Sequence, residues 1–489
     1  MLLAPLALLF WPQAAETNDL ERAVRKFAGV YALVESHAAD PVNANAAIYD
    51  GALPAMMRGL DPHSAFLGPD QMEQLRNMER STSKGFGTVV SVLPGRVIIV
   101  QVVQNAPSAR AGLAPGDEIV GINNIPLWQL SMEQLTQLLG ESRQRPASLA
   151  VRRPGNARLM SFTLTPEEMA SPSVDRAFVI ADRIGFVRAT SFEGETGKQL
   201  KAAIDKIGGA GLKGLVLDLR NNGGGIVGPA LEAASLFLKP AQTLVTVRGR
   251  ARLQEEIKVP VEAKPYEFPL AILVNEKTAS SAEIITGALQ DHDRALVIGV
   301  PTFGKGLVQS VFSLPEGAGA AITTSFYFTP SGRSIQRPLK AGQLRDGQPL
   351  YANLEPAGTV FKSAKGRVLK GGGGVDPDEL AWHPKHSRLQ TVLDANGLLT
   401  AYATEFLSKK PVVTPEFVVD GKLLDDLQVF LSERNVRPGV GEWAADREWI
   451  RVRIHQEIFN QSLGVEFGDE VEFRQDPVVK RALDLLAMP

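Results

Sequence analysis

The 489-residue chain contains no cysteine, and this absence excludes disulfides, thiolate zinc sites and a cysteine nucleophile. Histidine is scarce as well: of six residues, only His383 and His386 lie close together, in a proline-interrupted loop that is a poor metal site. Neither sign of charge prevails, because 52 Lys and Arg stand against 54 Asp and Glu. The net charge of −2 argues against a dominant role in binding nucleic acids, and we expect no metal and no cofactor.

Long hydrophobic runs are also missing. The apolar stretch that opens the chain has about ten residues, whereas a transmembrane helix needs about 20. Small residues follow it, as in a secretory signal peptide, although the basic segment that normally precedes the apolar run is absent. We therefore predict a signal peptide at residues 1–15 and a location in the periplasm or cell envelope. A buried amino-terminal segment or a truncated start codon is the alternative.

The length predicts three or four domains, because a single hydrophobic core does not grow to this size. Residues 16–82 have a helical pattern, with Leu20, Val24 and Phe27 recurring on one face. Residues 83–167 form a small module of short strands with one helix, which Ser131 opens in a capping-box pattern. Residues 168–389 alternate strands and helices, and residues 390–489 are mostly helical.

The alternating region predicts a largely parallel sheet with crossover helices. We expect strands at 184–189, 215–219, 270–274 and 295–300, and helices at 194–207, 229–238 and 280–290. Functional sites in such sheets lie beyond the carboxyl ends of the strands. The glycine run at 223–225, the segment around Ser280 and the segment around Lys305 each follow a strand. They are therefore expected to meet at one edge of the sheet.

Ser280 and Lys305 could form a nucleophile and its base. His292 is too far to serve Ser280, because twelve residues of continuous helix span about 18 Å. Lysine acts as a base only if its pKa falls from about 10.4, which burial achieves. Gly304 and Gly306 allow close backbone approach at Lys305, and Gln309 could orient the amine. Two alternatives stay open: Ser281 as the nucleophile, and a capping Ser280 beside a solvated Lys305.

Backbone N–H groups of the glycine run could bind an oxyanion, with Gly223 and Gly224 as the candidates; a flexible turn is the alternative. Residues 299–305 also fit the first part of a phosphate-binding loop. Gly306 stands where that loop needs Ser or Thr, and a strand pattern follows instead of a helix. We therefore expect no nucleotide.

In the small module, Lys84-Gly85-Phe86-Gly87 precedes a strand. Such a loop can present N–H groups to a peptide carboxylate, while the strand edge accepts an extended peptide. The alternative is a simple hairpin start.

The chain resembles the carboxyl-terminal processing proteases, also called tail-specific proteases, over about residues 20–385. The segments that carry this resemblance are residues 61–67, Gly85-Phe86-Gly87, 111–113, 115–119, 218–225, Ser280, Lys305, Gln309, 328–336 and 374–378. Ser281-Ala282 departs from the Ala-Ser of many relatives. The glycine-rich insertion at 340–374 is long, and residues 390–489 match no part of the family.

The resemblance implies a multidomain α/β protein: a ClpP- and crotonase-like mixed-sheet protease core at 168–389, a PDZ domain at 83–167, and helical regions at both ends. It implies a serine endopeptidase in which Ser280 is the nucleophile, Lys305 the base and Gln309 its orienting residue. The oxyanion is assigned to backbone N–H groups of Gly223 or Gly224 and of Ser281.

The partners would be unfolded or tail-bearing proteins, captured by their carboxyl termini at the PDZ domain. The helical region at 390–489 could serve oligomerisation or an adaptor. The alternatives are a non-catalytic PDZ scaffold that only binds peptides, and a small-molecule hydrolase on the same core.

Overall fold

The structure, a computed structural model, describes residues 14–250, 254–338 and 356–488. The signal peptide predicted at residues 1–15 lies outside the described residues except for its last two positions, and so do residues 340–355 of the predicted insertion. Across the described ranges, none of the helices combines the length and the apolar character needed to cross a bilayer.

The chain divides into two compact units, and the smaller one contains the described residues 14–72 and 309–323. Its amino-terminal elements are helix α1 (Ala14–His37), a π-helical segment (Ala46–Ala52), helix α2 (Leu53–Arg58), strand β1 (Ala65–Leu67) and the start of helix α3 (Pro69–Arg80). The helical prediction is confirmed, but the short strand β1 was not predicted. It forms because residues 319–321 offer an antiparallel partner that is distant in sequence.

A turn at residues 61–64 precedes β1. The Asp61 carboxylate accepts hydrogen bonds from the backbone N–H groups of His63 and Ser64, each at 2.8 Å. The Ser64 hydroxyl donates to the same carboxylate and accepts from the Thr323 N–H at 3.1 Å. The turn is therefore anchored to the second segment of this unit.

The larger unit begins with the small β module. Its elements are β2 (Thr82–Gly85), β3 (Thr88–Leu93), β4 (Arg96–Val102), α4 (Pro107–Ala111), β5 (Glu118–Ile122), β6 (Ile125–Pro126), α5 (Met132–Ser142), β7 (Ala147–Arg152) and β8 (Met160–Leu164). The sheet has the order β3-β4-β5-β7-β8, so β3 is an edge strand. The predicted capping box of α5 is present, with Ser131 and Gln134 exchanging hydrogen bonds.

The protease-like region contributes the remaining strands and three helices. In chain order these are β9 (Glu167–Ala170), β10 (Val174–Ala181), β11 (Ile184–Ala189), α6 (Thr196–Lys206), β12 (Gly214–Asp218), α7 (Val227–Ser235), β13 (Thr243–Gly249), β14 (Glu255–Lys258), β15 (Leu270–Val274), α8 (Ser281–Asp291), β16 (Ala295–Gly299), β17 (Leu307–Ser313), β18 (Gly319–Phe328), β19 (Val360–Lys362), β20 (Val368–Lys370) and β21 (Glu379–Leu380).

The central sheet has the order β10-β11-β12-β15-β16-β21. Its strands run parallel from β11 to β21, and only the edge strand β10 is antiparallel. The predicted parallel sheet is thus confirmed. The antiparallel pairing of β13 with β14 and with residues 325–328 was not predicted, since these segments carry no strong local pattern.

Six helices close the chain: α9 (Arg388–Ala395), α10 (Leu398–Ser408), α11 (Gly421–Glu433), α12 (Val440–Ser462), α13 (Val465–Gln475) and α14 (Pro477–Leu486). Ile450, Ile454 and Ile458 are fully buried in the bundle core, as their spacing predicts. Helix α13 still contacts the bundle through Val471, whereas α14 buries Val479 and Ala482 against one face of the central sheet. Helices α6, α7 and α8 cover the other face.

Candidate active site

Ser280 lies in the loop that follows β15, immediately before the first residue of α8. Its backbone has φ 55° and ψ −123°, a conformation that non-glycine residues rarely adopt and that costs about 1–3 kcal/mol. Strain of this kind persists only where the surroundings enforce it. Ser280 is partly exposed, whereas Ser281 is fully buried and its hydroxyl has no hydrogen-bond partner within the described part of the chain.

Lys305 is a half-buried residue in the loop between β16 and β17. Its two glycine neighbours pack against the backbone of residues 336–337. A Cβ on Gly306 would lie 2.7 Å from the Gln336 nitrogen, and a Cβ on Gly304 would lie 2.9 Å from the Arg337 Cβ. The predicted close backbone approach is confirmed, and only glycine permits it at these two positions.

Glu283 joins these two loops. Its Oε2 accepts the backbone N–H of Ser280 and the backbone N–H of Lys305, each at 2.9 Å. Its Oε1 accepts the Thr302 hydroxyl at 2.5 Å and the Gly304 N–H at 2.7 Å. Burial raises the pKa of this fully enclosed carboxyl, and the four hydrogen bonds act in the opposite direction.

Tyr327 holds the Lys305 loop through its backbone. Its buried hydroxyl donates to the backbone carbonyl of Lys305. Burial raises the pKa of Tyr327 well above its usual value, while the nearby Ser280 side chain acts in the opposite direction. The phenol therefore stays protonated and can donate.

The glycine-rich loop after β12 is held against the Ser280 loop by Asn222, which is fully buried. The Asn222 carbonyl accepts the Ala279 N–H at 2.9 Å, and its side-chain amide donates to the Ala189 carbonyl at 2.9 Å. The Gly224 N–H donates to Asn222 Oδ1 at 2.8 Å, so this N–H is already engaged. Gly223 is exposed and faces open space. Ser281 is the first residue of α8, so its N–H has no acceptor within the helix.

Gln309 lies in the smaller unit, where its side-chain amide donates to the His63 carbonyl at 2.5 Å. His292 caps the far end of α8 from Ser280, and its Nε2 lies 2.7 Å from the Thr243 carbonyl oxygen. A strand, β17, follows Lys305 where a phosphate-binding loop would continue into a helix.

The loop of the β module that precedes β3 has both engaged carbonyl groups and unengaged N–H groups. The Phe86 carbonyl accepts the Ser108 N–H at 3.0 Å, and the Gly87 carbonyl accepts the Val103 N–H at 2.8 Å. Across the described residues, the N–H groups of Phe86 and Gly87 have no hydrogen-bond partner. Gly85 pairs with Glu167 in the short β2–β9 ladder, and Phe86 is buried in the module core.

Sequence reasoning assigned no role to Glu283, Tyr327 and Asn222. Glu283 had a detectable signal, because Ser280-Ser281-Ala282-Glu283 has the spacing of a capping box. Tyr327 and Asn222 carry no local signal, since their partners are distant in the sequence.

Comparisons with known proteins identify a peptidase family and a PDZ domain. Residues 183–341 match peptidase family S41, and residues 98–153 match a PDZ domain. The chain is 33% identical over 326 residues to the carboxyl-terminal-processing protease of Synechocystis sp., covering 64% of this chain and 75% of that relative. It is 32% identical over 312 residues to the chloroplastic carboxyl-terminal-processing peptidase 2 of Arabidopsis thaliana, covering 61% and 60%. A solved structure of the photosystem II D1 C-terminal processing protease aligns with a TM-score of 0.37 and 26% identity, covering 63% of this chain and 83% of that one.

Proposed function

The chain belongs to the carboxyl-terminal-processing proteases of peptidase family S41 and carries a PDZ domain, and we propose that it cleaves peptide bonds with a Ser280–Lys305 dyad. One observation carries this proposal: Ser280 and Lys305 are anchored through their backbone N–H groups to one oxygen of Glu283. A strained, partly exposed serine held beside a half-buried lysine is an arrangement for nucleophilic catalysis.

In this mechanism the neutral amine of Lys305 takes the proton of Ser280 Oγ while that oxygen attacks the peptide carbonyl. The N–H groups of Gly223 and Ser281 stabilise the resulting oxyanion. Protonated Lys305 then gives its proton to the departing amine, and an ester on Ser280 remains. Water, activated by Lys305, hydrolyses this ester and restores the serine. Gln309 is the proposed orienting residue of Lys305.

We assign Gly224 a structural role rather than the oxyanion role that the sequence suggested. Its N–H donates to the Asn222 side chain, so it would have to break that hydrogen bond before it could bind substrate.

The PDZ domain is proposed to capture the free carboxyl terminus of an unfolded or tail-bearing protein. The unpartnered N–H groups of Phe86 and Gly87 would bind the carboxylate, with Gly85 completing the loop, and the β3 edge would accept the extended tail. We also propose that the protein acts after export, in the periplasm or cell envelope.

The test compares wild type with Ser280→Ala, Ser281→Ala and Lys305→Ala on an unfolded protein that ends in an apolar tail. We expect cleavage by wild type and Ser281→Ala only. Equal cleavage by Ser280→Ala would reject the nucleophile. If wild type binds the tail without cleaving it, the non-catalytic scaffold becomes the better explanation.

A further inference from the structure

Arg220 lies two residues beyond the end of β12, in the loop that continues to Asn222 and Gly223. Its guanidinium makes a two-pronged contact with the Asp218 carboxylate, at 2.9 Å through Nε and 2.6 Å through Nη2. Its third nitrogen, Nη1, donates to Asp476 Oδ2 at 2.6 Å. Asp476 belongs to the carboxyl-terminal helical region, which lies outside the family match.

We propose that Asp476 is a positioning residue for the active site: it fixes Arg220 and thereby the glycine-rich loop that faces Ser280. The inference rests on the proposed function, because it concerns the loop that would hold the oxyanion. The same proposal gives a function to the end of the carboxyl-terminal helical region, for which the sequence shows no family match.

The backbone around Arg220 is tied directly to the Ser280 loop. The Leu219 carbonyl accepts the Thr278 hydroxyl at 2.8 Å, and the Asn221 N–H donates to Asn275 Oδ1 at 2.9 Å. A shift of Arg220 would therefore be transmitted to both sides of the proposed oxyanion site. Misplacement of a catalytic group by about 1 Å can cost on the order of 100-fold in rate.

Two carboxylates hold the guanidinium: Asp218 binds Nε and Nη2, and Asp476, which alone of the two belongs to the carboxyl-terminal helices, binds Nη1. A cavity of about 720 Å³ borders Arg220, Asn221, Asn275 and Asp476, so the side chain has room to move if its anchor is lost. Burial opposes ionisation of Asp476, but the hydrogen bond from His383 and the charge of Arg220 lower the pKa of Asp476 to about 2. The carboxylate is thus charged at any working pH.

Asp476 has two functions that a substitution can separate. Its Oδ1 caps α14 by accepting the N–H groups of Val478 and Val479, at 2.8 and 3.1 Å. Its Oδ2 holds Arg220. Asparagine keeps a capping oxygen but has no charge and only one carbonyl oxygen, so Asp476→Asn retains the cap and removes the Arg220 contact.

Asp469→Asn is the matched control. Asp469, on α13, pairs with Arg176 at 2.6 Å and with Arg188 at 3.3 Å, so it also ties the carboxyl-terminal helices to the central sheet. It makes no contact with the glycine-rich loop among the described residues. Asp420→Asn, at the cap of α11, controls for the change of an N-cap residue.

The experiment uses the full chain and two readouts. With a quenched peptide that ends in an apolar tail, we expect Asp476→Asn to lower kcat about tenfold or more with KM changed less than about twofold. Hydrogen–deuterium exchange of residues 219–226 should accelerate in Asp476→Asn. Asp469→Asn should shift the unfolding midpoint comparably while leaving kcat and loop exchange near wild type.

Unchanged loop exchange in Asp476→Asn would overturn the inference, and so would equal losses of kcat in Asp476→Asn and Asp469→Asn. Hydrogen–deuterium exchange of the loop can be measured whether or not the protein cleaves peptides. If wild type fails to cleave but loop exchange responds to Asp476→Asn alone, the positioning role stands and the proposed function fails.

Discussion

The backbone N–H groups of Ser280 and Lys305 donate to the same atom, Oε2 of Glu283, although 25 positions separate the two residues. A serine and a lysine on different loops can cooperate only if the separation between the two loops stays constant during turnover. A shared buried acceptor enforces this distance, because moving either loop would break a hydrogen bond to a carboxylate.

Glu283→Gln should disrupt this arrangement. A glutamine amide has a single oxygen, so its NH2 group would face two of the four donors that now meet a carboxylate. We expect about 2–4 kcal/mol less stability towards urea and at least about a 100-fold loss of kcat. Glu276→Gln, on the exposed part of the same loop, is the control and should behave as wild type. Full activity in Glu283→Gln would show that the shared acceptor is dispensable.

Substitution by alanine should affect kcat very differently at the neighbouring glycines Gly223 and Gly224. A Cβ on Gly224 would lie 2.7 Å from the Ala279 oxygen and 2.8 Å from the Ser280 Cβ, at φ +93°. A Cβ on Gly223 would meet open space. Gly224→Ala should therefore lose at least about 100-fold in kcat, because it pushes Ser280, the proposed nucleophile, out of position. Gly223→Ala keeps its N–H and should fold and cleave almost normally. Similar kinetics for the two variants would contradict the loop geometry.

Peptide capture should depend on Gly87. Its φ is +76°, and a Cβ there would lie 2.1 Å from the Ala106 Cβ, so Gly87→Ala must deform the loop. In a Ser280→Ala background we expect at least about tenfold weaker binding of a fluorescent tail peptide, measured by anisotropy. Gly140→Ala, at an open position of the same domain, should bind normally. An amidated peptide should bind weakly to every variant; equal binding of the acid and amide forms would argue against carboxylate capture.

Stability near neutral pH should include a contribution from His383. Asp476 raises the pKa of His383, against burial and the nearby charge of Arg220, while Glu472 adds to the increase. Since the folded pKa is raised, the stabilisation is fully present below the unfolded pKa of about 6.5 and disappears as pH rises through the folded value. The side chain is 57% exposed, so the effect should stay below about 1 kcal/mol. Thermal unfolding from pH 5.5 to 8 should show this increment in wild type and not in His383→Gln.

Much of the architecture was readable from local patterns. The parallel strands, the strand β3, the capped helix α5 and the buried faces of α12 and α14 follow from apolar periodicity and capping residues. The family is confirmed by the comparisons, and with it a serine peptidase that carries a PDZ domain. The placement of Ser280 and Lys305 in loops after parallel strands also followed, because such strands end at one edge of the sheet. Their catalytic roles, and that of Gln309, stay predictions.

What the sequence determined by itself is most of the segments: which residues form the parallel strands and the helices, and which loops carry the serine, the lysine and the glycines. Only the tertiary structure decided how the hydrogen bonds are distributed among them. In the folded protein Glu283 accepts hydrogen bonds from both the Ser280 and the Lys305 loop, and the Gly224 N–H donates to Asn222. Asp476 contacts Arg220, which lies 256 positions away in the sequence. Periodicity reports which face of an element is buried, whereas a hydrogen bond between distant residues depends on distances and angles that exist only after the chain has folded.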